Sequence, residues 1–224
     1  METETARRPL KTRQAAWANR LAQMLVKIRV SPNAISIASI FFAAGAGAAL
    51  YFSADAIGGE RTLLLVLAVA GIQGRLLCNL LDGMVAIEGG RQTKSGEIFN
   101  DLPDRVADAL IFICAGYAAQ RHPFGVELVF TAAVLAVFSA YVRMLGGASG
   151  LKQSVIGPMA KQHRMATLTV ACVLSMLEAR LFTSEPTFWT PGAILWIALI
   201  VINLGCLVTI GRRTARIARE LEAR

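Results

Sequence analysis

Polar and ionisable side chains recur at helical spacing inside two hydrophobic stretches of this chain. Asn79 and Asp82 lie three residues apart, and Asn100, Asp104 and Asp108 follow one another at intervals of four. Residues three or four apart share one face of a helix, so each set projects in one direction. Carboxylate and amide oxygens are hard ligands, and such groups inside a membrane indicate a functional site. The two faces therefore predict a site for a divalent cation between two helices.

The segment between the two faces completes this pattern. It contains Gly89, Gly90 and Gly96, which allow a tight connection that brings the faces together. Asp101 projects near the direction of Asp108 and adds another carboxylate to the second face. The candidate metal ligands are thus Asn79, Asp82, Asn100, Asp101, Asp104 and Asp108.

The elements that must position these residues are membrane helices. The chain has 224 residues, is 55% hydrophobic and has a mean hydropathy of +0.53, which is typical of a polytopic membrane protein. We expect an all-α integral membrane protein with six transmembrane helices, preceded by an amphipathic interfacial helix within residues 10–30. A cytosolic helix packed on the protein is the alternative for that first element. The predicted spans are residues 33–53, 61–87, 97–119, 124–146, 164–182 and 192–210, the first opened by the Ser31-Pro32-Asn33 cap.

The distribution of charge predicts the orientation of the chain. Its net charge is +8, and the Lys and Arg residues concentrate at both ends and in the loops 89–95 and 147–164. Both termini are therefore expected to be cytoplasmic, in a cell inner or plasma membrane. We predict an N-terminal segment 1–30, a membrane domain 31–211 and a basic, solvated tail 212–224. No soluble domain is left to bind nucleic acid, and the four single cysteines indicate neither a disulfide framework nor a metal site.

The polar stretch resembles the signature of the CDP-alcohol phosphatidyltransferases, membrane enzymes that carry Asp-x2-Asp-Gly-x2-Ala-Arg, a short spacer and Gly-x3-Asp-x3-Asp. Asn79 and Asn100 replace the first and third aspartates, and Ile87 replaces the arginine, so the chain is similar to a divergent branch. Arg75 or Arg91 is expected to take over the contact of the missing arginine. The matching residues are Asp82, Gly83, Ala86, Gly96 and Asp104, together with Thr93, Pro32 and Asn33.

The resemblance implies roles for the two matching aspartates. Asp82 would be a metal ligand, and Asp104 would be a ligand, a general base for the attacking alcohol, or both. Mg²⁺, or Mn²⁺ in its place, would bridge the diphosphate of a CDP-linked substrate. Because two of the family's four acids are amides here, we expect one cation to be held well and a second weakly, unless Asp101 or Asp108 substitutes.

Cationic side chains form a second candidate constellation at the predicted cytoplasmic side. Arg143 lies near the end of the fourth span, and Lys161 and Arg164 precede or begin the fifth. They suit a phosphate on the acceptor or the lipid, although positive-inside topology is an alternative reason for them. The candidate nucleotide- and substrate-binding residues are Asn33, Arg75, Gly83, Ala86, Thr93, Gly96, Tyr141, Arg143, Lys161 and Arg164.

The expected function is an enzyme of phospholipid synthesis. It would move a phosphatidyl group from CDP-diacylglycerol to a small alcohol, phosphorylated or not, release CMP, and work among membrane lipids as a homodimer. Three alternatives remain: a CDP-linked headgroup donor with diacylglycerol as acceptor, a catalytically degenerate cytidine-lipid binder, and a small-solute or ion transporter. The position of the acids near the ends of two spans, without paired broken helices, disfavours the transporter.

Overall fold

Seven α-helices make up the described part of the chain. The structure is a computed structural model and describes residues 15–91, 95–181 and 190–224. The helices are α1 (Ala16–Lys27), α2 (Pro32–Phe52), α3 (Gly58–Glu88), α4 (Gly96–Tyr117), α5 (Gly125–Ala148), α6 (Lys161–Leu181) and α7 (Ala193–Glu222).

Six of these helices pack as a closed ring, with α1 outside it. The order around the ring is α2, α4, α5, α7, α6 and α3, so α2 separates the two helices that carry the polar faces. The interior is rich in alanine, which lets helix backbones approach closely. At Gly71 of α3, an added Cβ would lie 2.8 Å from the Phe42 carbonyl oxygen and from the Ala46 Cβ of α2. This close approach of α2 and α3 requires glycine.

Four helices are long and apolar enough to cross a membrane: α2, α3, α5 and α7. Helices α4 and α6 have 22 and 21 residues, which gives each a length of about 30 Å. They are long enough to span a membrane but less apolar than the other four helices, because they carry the buried charges of Asp104, Asp108, Arg164 and Glu178. The prediction of an all-α membrane protein is confirmed at this level, and the count of six spans stays a prediction.

The first helix packs on α3 and leaves another face exposed. Ala18 and Ala22 are buried against α3 residues that include Leu81, as the packed alternative expects. Trp17 and Met24 are more than half exposed, as the interfacial hypothesis requires. Residues 10–14 of the predicted amphipathic segment lie outside the described residues.

A buried ion pair joins three helices at the end of the ring remote from the polar stretch. Arg61 of α3 donates to Glu178 of α6 over 3.1 Å. Glu178 also accepts from the backbone N–H groups of Gly192 and Ile194 at 3.0 and 2.7 Å. One carboxylate therefore caps the N-terminus of α7 and neutralises a buried guanidinium.

The helix boundaries follow the predicted spans closely, with one exception. The Ser31 hydroxyl accepts from the Ala34 N–H at 3.2 Å and starts α2, as the sequence predicts. Helix α7 continues to Glu222, well beyond the predicted end of the sixth span at residue 210. Arg213, expected on a solvated tail, is buried. It donates to the Ile156 and Ser139 carbonyl oxygens at 2.9 and 2.6 Å, and these bonds account for the difference.

Candidate active site

Asp82 is buried between α3 and α2, near the C-terminal end of α3. Its carboxylate accepts from the Ser36 hydroxyl at 2.7 Å and from the Gly83 N–H at 2.6 Å. One turn earlier, the amide nitrogen and oxygen of Asn79 are buried and have no hydrogen-bond partner in the part of the chain that the structure describes. Among the described residues, no Lys, Arg or His forms an ion pair with Asp82. Within the described ranges, this end of the site thus holds a buried carboxylate without an ion-pair partner.

Asp104 lies across from Asp82 on α4 and is in contact with cations. The Lys161 ammonium of α6 pairs directly with its carboxylate, and Arg75 of α3 donates to its backbone oxygen at 3.3 Å. Arg75 is fully buried and also lies 3.5 Å from the Asp104 carboxylate. The Asp82 carboxylate lies within electrostatic range of the charges on Asp104 and Lys161. The charges of the two motif faces therefore lie within electrostatic range of each other.

Asp108 forms the deepest part of this network. Its Oδ1 forms an ion pair with the Arg75 guanidinium at 2.5 Å, and its Oδ2 accepts a hydrogen bond from Arg164 of α6 at 2.9 Å. All three side chains are essentially inaccessible to solvent. Asp108 links α3, α4 and α6, and both of its oxygens lie against arginine.

Asp101 faces a different neighbour near the mouth of the site. Arg143 of α5 contacts both of its carboxylate oxygens, at 2.8 and 2.6 Å, and Arg105 lies 3.6 Å away. The Asp101 and Arg143 side chains are 26% and 23% exposed. Solvent reaches this pair, in contrast to Asp108.

The loop between α5 and α6 positions Lys161 and Arg164. Gly157 has φ +122°, and an added Cβ there would overlap Thr209 of α7. The Thr209 hydroxyl accepts from the Met159 N–H at 2.9 Å. Arg164 in turn donates to the Met159 carbonyl oxygen at 3.0 Å. The C-terminal part of α7 thus fixes the approach to the cationic side chains.

The remaining predicted site residues are placed as follows. Asn100 is exposed one turn before Asp104, and Asn33 is half-buried on the face of α2 that also carries Ser36. Tyr141 is 56% exposed and stacks on Phe138, so the structure does not bring its ring into the ion-pair network. Gly83, Ala86 and Gly96 are half-buried along the ends of α3 and α4. Thr93 lies outside the described residues.

Of the two arginines considered as replacements for the missing one, the structure brings Arg75 into the site. Arg91 is exposed and donates to the Arg29 carbonyl oxygen at 3.0 Å, away from the aspartates. Ile87, at the family's arginine position, is itself half exposed. Arg75 therefore has the position from which to contact the reacting groups.

Sequence reasoning missed Ser36, Arg105 and Arg213. A serine one turn into an apolar helix, four residues after Pro32, was the available signal for Ser36, because buried serines in membrane helices usually bond across to another helix. Arg105 follows Asp104 directly, but its neighbours depend on how α4 and α5 pack. Arg213 carries no local signal that separates it from the other arginines of the C-terminal segment.

The residues present fit one divalent ion and not an all-carboxylate cage. Within the described ranges, no three His, Cys, Asp or Glu side chains are grouped to hold a metal. The Asp82 carboxylate and the partnerless amide oxygen of Asn79 are the buried donors that cations leave free. Magnesium is usually bound by one or two carboxylates with substrate phosphates and waters. Asp82 and Asn79 together provide enough oxygen ligands for one magnesium ion and not for two.

The chain is similar to curated proteins along most of its length. It is 26% identical over 206 residues to a phosphatidylinositol phosphate synthase of Streptomyces avermitilis, covering 89% of this chain and 77% of the relative. It is 28% identical over 188 residues to an archaetidylinositol phosphate synthase of Aeropyrum pernix, covering 84% of this chain and 88% of the relative.

Solved structures share the fold. The Mycobacterium tuberculosis phosphatidylinositol phosphate synthase with CDP-DAG bound superposes with a TM-score of 0.72 at 18% identity, covering 91% of this chain and 94% of that one. The same enzyme in complex with manganese and citrate gives a TM-score of 0.70 at 18% identity, covering 89% of this chain and 88% of that one.

The family itself follows from a match over most of the chain. The sequence model of the CDP-alcohol phosphatidyltransferases matches residues 29–210. That range holds every motif residue from Asp82 to Asp104 and the cations that contact them. The predicted family and the prediction of an enzyme rather than a transporter are thereby confirmed, and this chain belongs to the CDP-alcohol phosphatidyltransferase family.

Proposed function

We propose that this protein transfers a phosphatidyl group from CDP-diacylglycerol to an inositol phosphate or a similar phosphorylated polyol, with release of CMP. The family match supports the reaction class. The two curated relatives are named for phosphorylated inositol lipids, which supports this acceptor. The site's surplus of positive charge is the single observation in the structure that carries the choice.

That surplus is a property of the ion-pair network. Three carboxylates, those of Asp101, Asp104 and Asp108, lie among a larger number of cations. Buried nitrogens of Arg75, Arg143 and Arg164 have no partner in the described structure. Cations with free hydrogen-bonding groups favour a phosphate ligand, to which arginine binds with fixed geometry. The five cationic side chains of the network are Arg75, Arg105, Arg143, Lys161 and Arg164.

The chemical step requires a base at the acceptor hydroxyl. We assign this role to Asp104, because its carboxylate is buried and held in place by Lys161 and Arg75. The hydroxyl oxygen forms a bond to the phosphorus of the phosphatidyl group, and its proton passes to Asp104. The bond from that phosphorus to the bridging oxygen breaks, and CMP leaves with the electron pair.

A divalent cation is part of this proposal. When bound, it neutralises charge on the diphosphate of the donor. Asp82 and Asn79 would hold it, because their buried oxygens pair with no cation among the described residues. The manganese complex of the mycobacterial relative supports a divalent cofactor, Mg²⁺ or Mn²⁺. Ser36 orients the Asp82 carboxylate through its 2.7 Å hydrogen bond.

The membrane arrangement is the remaining part of the proposal. We infer that α2 to α7 all cross the bilayer, with the aspartate-bearing end and both termini in the cytoplasm. Helix α1 lies in the interface, with Trp17 and Met24 toward lipid and Ala18 toward α3. A homodimer remains a prediction that size-exclusion chromatography with light scattering would test.

An acceptor panel tests the proposed reaction. Purified protein in detergent is incubated with CDP-diacylglycerol, Mg²⁺ and one of inositol phosphate, inositol or glycerol phosphate, and CMP and the lipid product are quantified. We expect CMP release with inositol phosphate and little with inositol. A lipid product formed only from a CDP-linked headgroup and diacylglycerol would instead show the reversed donor. Nucleotide binding without turnover in either direction would identify a degenerate binder.

A variant of Arg143 tests the role of the cationic side chains. Arg143→Ala removes a partly exposed guanidinium beside Asp101, and we expect KM for a phosphorylated acceptor to rise about tenfold, the value of one charge-assisted hydrogen bond. KM for CDP-diacylglycerol should stay unchanged. Arg216→Ala is the matched control, since Arg216 pairs only with Glu220 on the exposed end of α7. Equal changes in both KM values for Arg143→Ala would contradict the assignment.

A further inference from the structure

The two aspartates of the motif differ in the cations that contact them. Asp104 pairs with the Lys161 ammonium and lies 3.5 Å from the Arg75 guanidinium. Among the described residues, Asp82 receives hydrogen bonds from the Ser36 hydroxyl and the Gly83 N–H, both of them neutral donors, and from no cation. Both carboxylates are buried, with 4% exposure each. One aspartate is therefore neutralised by the chain, and the other still needs a cation.

We propose that this protein is a one-metal member of its family, in which the Lys161 ammonium takes the place of a second divalent ion beside Asp104. The single divalent ion belongs to Asp82 and Asn79. The inference rests on the proposed function only in requiring that the site binds a divalent cation with its nucleotide.

Charge explains why a second ion is excluded. A divalent ion at Asp104 would have to displace Lys161 or lie beside it, and it would also face Arg75, while Arg164 pairs with Asp108 one turn away. Repulsion between such charges is strong in a buried site, where the effective dielectric constant is low. The additional ligands there would be neutral, because Asn100 stands where the family has an acid and Asp108 is already shared by two arginines.

The same geometry explains why the amides are tolerated. A carboxylate at position 79 would add a second negative charge beside Asp82, which pairs with no cation among the described residues. An amide at position 79 still offers an oxygen ligand, and its buried, partnerless oxygen leaves that ligand free. The replacement of two acids by amides and the placement of Lys161 against Asp104 are, in this view, one coupled change.

Metal stoichiometry, measured without turnover, tests the proposal. Wild-type protein is saturated with CMP and titrated with Mn²⁺, and bound metal is counted by equilibrium dialysis with elemental analysis and by electron paramagnetic resonance. We expect one Mn²⁺ per chain, with the spectrum of an isolated ion. Asp82→Asn should bind none. Two ions per chain in the wild type, or undiminished binding by Asp82→Asn, would overturn the proposal.

A variant designed to gain a second metal ion gives a more specific test of the proposal. Asn100→Asp combined with Lys161→Met adds a carboxylate one turn from Asp104 and removes the ammonium, so we expect a second Mn²⁺ with spin coupling between the ions. Asn19→Asp combined with Lys27→Met on α1 makes the same change in charge at solvent-accessible positions and should still bind one. A folded double variant of the site that binds only one ion contradicts the proposal.

The outcomes separate this inference from the proposed reaction. Absence of CMP release together with one bound Mn²⁺ removes the proposed acceptor and leaves the one-metal site standing. CMP release together with two bound ions in the wild type supports the proposed reaction and overturns the one-metal site. If the double variant of the site fails to fold, Asn100→Asp alone replaces it in the test, because Asn100 is exposed and should tolerate the change. A second ion bound at least tenfold more tightly than in the wild type supports the proposal. No gain in affinity for a second ion contradicts it.

Discussion

Asp101 and Asp108 lie on the same helix and each contacts two arginines, yet solvent reaches them very differently. The Asp108 side chain is 1% exposed and that of Asp101 is 26% exposed. A buried carboxylate between two buried guanidinium groups is required for their neutralisation, because each unpaired buried charge is costly. A partly exposed pair contributes little to stability. The same residue type therefore has a structural role at position 108 and a different role at position 101.

This contrast gives a stability prediction. Asp108→Asn leaves Arg75 and Arg164 without their shared counter-charge, and we expect a loss of about 3–5 kcal/mol in the free energy of unfolding. Asp101→Asn should cost less than about 1 kcal/mol. Thermal unfolding of both variants in the same detergent measures the difference. Equal losses would mean that the two ion pairs do not differ in burial as described.

Ser36 acts through Asp82, and its effect should appear in metal affinity. Ser36→Ala removes the 2.7 Å hydrogen bond to the carboxylate, and we expect Mn²⁺ affinity to fall by about 10- to 100-fold, as is usual for partners of metal ligands. Ser39→Ala is the matched control, because the buried Ser39 hydroxyl donates to the Ser36 carbonyl oxygen within the same helix. Affinity that drops equally in both variants would point to a general loss of packing in α2.

At the scale of elements, the two motif helices are held in place largely by α2, which packs against both. Small residues make this possible, since α2 must approach α3 closely enough for Ser36 to reach Asp82. The closest approach is at Gly71. A change in packing at this contact would move Asp82 relative to Asp104. Packing remote from the two aspartates therefore controls the geometry of the site.

Substitutions at two glycines test this dependence. Gly71→Ala places a methyl group 2.8 Å from the Phe42 carbonyl oxygen, and we expect a loss of about 1–3 kcal/mol from overpacking. Gly45→Ala on α2 meets no atom within 4 Å and should stabilise its helix by about 0.5–1 kcal/mol. Unfolding temperatures of the two variants give the comparison. A neutral Gly71→Ala would show that α2 and α3 can separate without cost.

At the scale of the whole molecule, the polar residues form two clusters at opposite ends of the helix ring. Arg61 and Glu178 mark one end, and Asp82 lies at the other, 21 residues further along α3. That separation corresponds to about 30 Å of helix, close to the thickness of the hydrocarbon core of a bilayer. The reacting groups are therefore expected near one membrane surface, where a soluble acceptor and a lipid donor can both reach them.

The proposed orientation makes a prediction for the intact protein. Fusions of green fluorescent protein and alkaline phosphatase to the C-terminus, expressed in a bacterium, should give fluorescence and no phosphatase activity, because six spans return the chain to the cytoplasm. The same fusions placed after Ala56, between α2 and α3, should give the opposite result. A phosphatase-active C-terminus would contradict the count of six.

The sequence by itself determined the helices and the identity of the motif. Sequence patterns marked the six long helices to within a few residues at most ends, because the apolar runs are long and their caps are local. The spacing of Asp82, Gly83 and Asp104 carried the family, since residues three or four apart on a helix must share a face. These features depend on neighbours in the chain and could be read without any tertiary contact.

Only the tertiary structure decided which charges meet. Lys161 against Asp104, Arg75 and Arg164 against Asp108, and Arg213 against the loop before α6 join residues 33 to 57 positions apart. Their pairing depends on the circular order of the helices, which places α6 beside α3 and leaves α2 between α3 and α4. Local sequence specifies each helix face but not the neighbour that it meets. The electrostatic character of the site, with Asp104 paired with Lys161 and Asp82 without an ion pair among the described residues, therefore emerged only when the helices were packed together.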